Sequence, residues 1–433
     1  MLETIRNAWK TPELRKRIIF TLVCLVIFRF GSVIPVPFID KTALASVLEG
    51  YQDTILGFFN MMSGGAFEQA NIFALSIQPY INASIIMQLL SVAIPALERM
   101  VKEGGEEGRK KLAALTRYAT LVIGLLQGFA YYMILKNGGA LKMSTGLGSF
   151  WIGLVIIVTF TAGSAFIMWL GEQITANGIG NGISIILFAS IISRIPTIIN
   201  TVVNLMMSGA MNWLWVIALV VGLIALIGFI VFVTDAERRI PVSYAKKMVG
   251  RKMYGGRSTN LPIKVNMSGV MPIIFASSIA TFPATIAAFF PQPAAGSFWY
   301  NVQTYVFSPQ SATYAVIYLL LIVLFSYFYA AIQFNPVEIA NNLKSNGGFI
   351  PGFRPGRPTS DFISKVMNKI TLFGAVFLGI IAVIPILIGV FVPGGQSLAL
   401  GGTSLLIVVG VAQETVKQME QQLMMRNYKG FLE

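Results

Sequence analysis

Long apolar stretches punctuate this sequence, and the polar residues collect between them in clusters. A helix rises about 1.5 Å per residue, so roughly 20 apolar residues cross a bilayer. Stretches of that kind fall at 18–36, 73–95, 117–136, 150–171 and 182–200, and again at 213–233, 268–290, 312–332, 370–392 and 403–420. The pattern predicts ten membrane-spanning helices. Arg15, Lys16 and Arg17 stand just ahead of the first stretch, but no small-residue cleavage signal follows and Arg29 interrupts its core. That stretch is expected to be a retained helix, not a removable leader.

Composition sharpens the picture. Hydrophobic residues make up 55% of the 433 positions and charged residues only 12%, whereas soluble domains are about a quarter charged. An ordinary soluble enzyme is excluded. There is no histidine, and the single cysteine, Cys24, sits in an apolar run. Histidine metal sites, His-assisted triads and disulfides are therefore unavailable, and neither a metal nor a cofactor is expected. With the N-terminus placed in the cytoplasm, 27 of the 32 Lys and Arg fall on cytoplasmic segments and four on outer ones. This positive-inside bias predicts a multi-pass protein with both termini cytoplasmic. All 18 acids lie in loops or at helix ends, Glu172 and Glu414 nearest a span. Ion-coupled transporters keep carboxylates at membrane depth, so that machinery has no counterpart here.

Three places depart from simple span-and-turn architecture. In the first, residues 57–95, Ser63-Gly64-Gly65 breaks a segment from about Phe58 to Ala70 that is too short and polar to span. It reads either as a re-entrant or half-helical piece, which needs protein or water around it, or as an amphipathic outer loop. Just beyond it, Ile77 and Ile81 share one helix face, with Gln78, Asn82 and Gln88 on others. By spacing alone the isoleucines are core residues. In the second place, Gly178, Gly180 and Gly182 separate two apolar helices. A phosphate-binding glycine motif must follow a strand, so a tight cytoplasmic turn is expected instead. The third is a pair of long loops. Residues 234–267 carry eight basic residues and suit a projecting hairpin; residues 333–369 suit an extended loop presenting Lys344, Arg354 and Arg357. Orientation explains many of these charges but not the loop lengths, which suit an acidic partner such as ribosomal RNA.

Five segments, SGGAFEQANIFALSIQPYINASIIMQLL, WLGEQITANGIGNGISI, RRIPVSYAKK with STNLPIKVNMSGVMP, NPVEIANNLKSNGGFIPGFRPG and GGTSLLIVVG, together resemble the SecY/Sec61-alpha family of protein-conducting channels, in order along essentially the whole chain. The resemblance implies an all-α membrane protein whose ten helices form two pseudo-symmetric inverted halves, 1–205 and 206–433, around a central hourglass pore. It implies an apolar ring of Ile77, Ile81, Ile183, Leu187, Ile274 and Ile407, with Leu187 standing where isoleucine is common. Residues about 58–70, Asn60, Met61, Met62, Ser63, Gly64, Gly65, Ala66 and Phe67 among them, would be a plug. A lateral gate would involve Asn82, Gln88, Gln127, Ser278 and Phe282, and Lys246, Arg251 and Arg354 would meet the SecA ATPase or a ribosome. Further implied partners are the small subunits SecE and SecG, signal sequences, secretory and membrane-protein substrates, and membrane lipids; the implied location is the bacterial plasma membrane. An apolar collar suits a channel for arbitrary sequences, because it neither binds specific groups nor stays wet when empty. No GxxxxGK[ST] pattern is present, so energy would come from a partner. A small-solute transporter would require charges within the membrane, and an intramembrane protease or lipid transferase a nucleophile with its base; the sequence offers neither.

Overall fold

The computed structural model describes residues 2–40, 42–44, 63–141, 147–209, 212–244, 247–249, 252–254, 258–267, 269–287, 297–306, 311–391 and 401–429. A helix lies over each of the ten apolar stretches. The amphipathic α1 (Leu2–Lys10) precedes α2 (Pro12–Gly31); proline suits the first helical turn, where an N–H would lack a helical acceptor. After a non-helical segment come α3 (Gln78–Ala93) and α4 (Pro95–Glu103), bent 102° apart at Ile94. Ile94 is extended (φ −105°, ψ 112°), as the residue before proline prefers. Next are α5 (Gly105–Asn137), α6 (Leu147–Asn177), α7 (Gly182–Ile192), α8 (Ile195–Met207) and α9 (Trp213–Asp235). The expected span 182–200 is thus divided by a turn at Ser193 and Arg194.

The basic loop after α9 does form a hairpin. Strand β1 (Glu237–Tyr244) is succeeded by β2 (Lys247–Val249), β3 (Lys252–Tyr254) and β4 (Ser258–Lys264). β1 pairs antiparallel with β4, Glu237 opposite Lys264, and β2 with β3. Alternation drives this: Ile240, Val242 and Ile263 are buried while the intervening Arg239 and Pro241 are exposed. Beyond α10 (Met271–Ala287), α11 (Phe298–Tyr305) and α12 (Ala312–Gln333), the second long loop differs from expectation. It contains α13 (Pro336–Ser345) and β5 (Gly348–Phe349), and α14 (Arg357–Phe391) already begins within it. Asn335 starts α13 by accepting hydrogen bonds from the Val337 and Glu338 amides, with Pro336 in the first turn. Within 333–369 only residues 334–335, 346–347 and 350–356 lie outside helix or strand. β5 extends the hairpin sheet on the free edge of β1, giving the order β4-β1-β5, so the membrane part is helical and the long loops add two small sheets. α15 (Gly401–Lys429) ends the described chain.

Six spans among the described residues are long and apolar enough to cross a membrane, α7 and α8 counting together as one of them (Gly182–Met207), and the bent α3–α4 pair makes a seventh. Charged residues dilute α2 and α15, and α10 has 17 residues. The most apolar window of α9 is only 11% buried, the behaviour of a helix whose solvent is lipid or another apolar helix.

By internal packing the chain divides into two units: Met1–Ile217, Ser277–Ala315 and Pro385–Glu433 form the first, Ala218–Ala276 and Val316–Ile384 the second. The first has one core around Phe67, Leu75, Tyr131, Leu135, Ile156 and Phe160, and another in which Ala8 of α1, Leu14 of α2, Ile179 of the α6–α7 turn and Met419 of α15 pack together. The second unit's sheet packs Ile240, Val242 and Ile263 against Ile350, Ile363 and Met367.

Candidate functional site

Of the forms open to Phe58–Ala70, re-entrant, half-helical or loop, a half-helix is absent from the described part of that segment. Residues 63–77 instead form a chain of turns with one isolated bridge, Pro35 opposite Asn71. Left-handed backbone at Gly64, Gly65, Ala70 and Ser76 (φ 67°, 88°, 46° and 49°) explains why no helix can propagate. Asn60, Met61 and Met62 lie outside the described residues.

This segment is tied to the first unit at several points. The Val36 amide donates to the Ala70 carbonyl and the Ile72 amide to the Ile34 carbonyl, at 3.1 and 3.0 Å. Asn71 Nδ2 donates to the Ser32 carbonyl at 2.6 Å, and the Ser63 hydroxyl accepts from the Phe67 amide at 3.0 Å. From α5, the Tyr131 hydroxyl donates to the Phe67 carbonyl at 2.6 Å. Arg29 Nη1 on α2 lies 3.5 Å from the Gly64 carbonyl and 3.3 Å from the Ser193 hydroxyl. A β-carbon on Gly64 would stand 2.8 Å from that hydroxyl, and one on Gly163 of α6 only 2.2 Å from the Ile72 carbonyl, so glycines permit the close approach on two sides. Sequence reasoning singled out neither Tyr131 nor the bond Arg29 makes. The available signal was Arg29 itself, a cation inside an apolar run.

Ile77 and Ile81, two of the expected ring positions, stand where that segment runs into α3. In the first unit Ile77, Ile81, Leu187 and Ile407 are buried and Ile183 is half-buried; Ile274, in the second, is buried too. Asn82 is buried and Gln88 and Gln127 half-buried. α3 does meet α10, through Gln78, whose Nε2 donates to the Ser278 hydroxyl at 3.4 Å. Gln78 is 2% exposed and its Oε1 has no hydrogen-bond partner. Phe282 falls within α10, but its side chain, like all of Lys246 and Arg251, lies outside what is described.

Gly178, Gly180 and Gly182 form a tight turn between α6 and α7. Gly180 is left-handed (φ 75°), and a β-carbon on Gly178 would meet the Thr21 hydroxyl at 2.5 Å. In the second unit Arg354 is exposed at a loop tip whose backbone is fixed from below. Thr359 Oγ1 donates to the Arg354 carbonyl at 2.8 Å, and the Phe353 ring packs against that of Phe362, tilted by 30° with centroids 4.2 Å apart.

A helical, multi-pass membrane protein with a non-helical segment packed among its spans is the class these features define. Residues 71–416 match the SecY family. Protein translocase subunit SecY of Streptomyces scabiei is 43% identical over 443 residues, covering 100% of both chains. The Thermotoga maritima protein of the same description is 42% identical, covering 100% of this chain and 98% of the relative. Among solved structures, one described as a protein conducting channel shares the fold at a TM-score of 0.63 with 17% identity, over 96% of each chain. Sec61 in a canine ribosome-channel complex does so at 0.59 with 16% identity, again over 96% of each. The chain belongs to the SecY family.

Proposed function

We propose that the chain forms a channel through which unfolded secretory polypeptides cross the bacterial plasma membrane and from which membrane-protein segments pass sideways into lipid. The full-length family relationship carries this reading. Buried isoleucine and leucine at the six ring positions, or half-buried in the case of Ile183, support an apolar constriction that dewets and seals at rest. The non-helical segment 63–70, which leads through 71–77 into α3, supports a plug. The Gln78–Ser278 contact supports a seam between α3 and α10 that opens for signal sequences, since a long, half-satisfied polar contact gives up little when water replaces it.

Driving force comes from a cytoplasmic partner, SecA or a translating ribosome, docked on the β1–β4 hairpin and the Arg354 loop; SecE and SecG complete the assembly. The concentration of cations on these loops supports that side as cytoplasmic and that surface as one for acidic partners. Reconstitution into lipid vesicles with SecE, SecG, SecA, ATP and an unfolded precursor tests the proposal. Protease-protected precursor inside the vesicles is the expected result. Uptake of small solutes with no precursor import would overturn it.

A further inference from the structure

One hydrogen bond between the 63–77 segment and the channel wall is short, buried and made by a group that packing alone does not require. The Tyr131 hydroxyl on α5 donates to the Phe67 carbonyl at 2.6 Å. Its ring lies 4.4 Å from the Phe67 ring and 4.9 Å from that of Phe160, and Tyr131 is 2% exposed. A phenylalanine would fill that space equally well. What the hydroxyl adds is a second donor for a carbonyl that already accepts from the Ala70 amide, 3.0 Å away. The turn so closed carries Ala70 at φ 46°, a conformation that costs a residue with a β-carbon and persists only where its surroundings hold it.

The consequence is a differential contact. With the segment seated, the buried O–H has its acceptor. With the segment displaced, that O–H loses the Phe67 carbonyl and turns to water in the space the segment vacated, so the seated state is favoured by the net worth of one buried hydrogen bond. A group that interacts with one of two states biases the equilibrium between them. We propose that the Tyr131 hydroxyl is a positioning group that holds the 63–70 segment in place and thereby sets how readily the resting channel opens. This rests on the reading of that segment as a plug.

Tyr131→Phe removes one oxygen and keeps the ring. Single-channel recording in planar bilayers should show the resting open fraction rising about three- to tenfold, the Boltzmann weight of one net hydrogen bond, and vesicles should import more of a precursor with a weakened signal sequence. A chain lacking residues 60–67 should leak strongly, and Tyr131→Phe should add nothing in that background. If the deletion leaks but Tyr131→Phe behaves as wild type, the positioning role is overturned and the plug reading stands. If the deletion does not leak, the plug reading fails and this inference with it. If Tyr131→Phe raises leakage equally with and without residues 60–67, the hydroxyl acts on the wall and not on the segment, which also overturns the proposal.

Discussion

Gly182, the first residue of α7, abuts the Gly171 carbonyl of α6 so closely that a β-carbon on Gly182 would stand 2.0 Å from that oxygen. Neither atom belongs to a flexible side-chain end, so an alanine can be accepted only by moving one helix.

Gly182→Ala is therefore expected to destabilise the protein by about 1–3 kcal/mol, the usual range for overpacking a tight contact. Gly222→Ala in α9, where nothing lies within 4 Å of the added carbon, should be neutral or stabilising by up to about 1 kcal/mol, since glycine is a poor helix former. Thermal unfolding in detergent compares the two. Equal melting temperatures would show that α6 and α7 do not pack this tightly.

Aspartate at Ile81, Ile183 or Ile274 should raise the resting ion conductance while precursor import continues at least in part. Sealing requires an apolar surface from which water withdraws; passage requires only an opening. Planar-bilayer recording at the wild-type level for all three variants would remove these residues from the constriction.

Arg354→Glu should impair SecA-driven import and leave stability within about 0.5 kcal/mol. The tip backbone is fixed by Thr359 and by the Phe353–Phe362 ring contact, while the Arg354 side chain is exposed. The expected defect is thus in partner binding, measured as weakened SecA affinity alongside an unchanged melting temperature. Arg251→Glu should show the same defect more mildly.

Gln78→Leu should maintain or raise the melting temperature and slow import. It deletes a buried oxygen without a partner and one 3.4 Å bond, and the Ser278 hydroxyl, which only accepts in that bond, keeps a further interaction, so no buried donor is newly stranded. A closed α3–α10 contact made firmer in this way should open less readily to a signal sequence. Import at the wild-type rate would show that Gln78 takes no part in opening.

The ten helices were legible in the sequence because a span must be apolar along its whole length, and that requirement is written residue by residue. The same holds for the turn at Gly178–Gly182, where three glycines mark a backbone with no room for side chains, and for the β1–β4 hairpin, whose alternation matches the period of a strand. Only the tertiary structure decided how 63–77 and 333–369 are built. Glycine and proline announce a break without dictating the backbone beyond it: left-handed turns in the first segment, a capped helix and a short strand in the second. Nor could the sequence pair Tyr131 with Phe67 or Gln78 with Ser278, partners 64 and 200 positions apart. Such a bond depends on where two helices happen to cross, and an isolated tyrosine or glutamine in an apolar run carries no record of the carbonyl or hydroxyl that will face it.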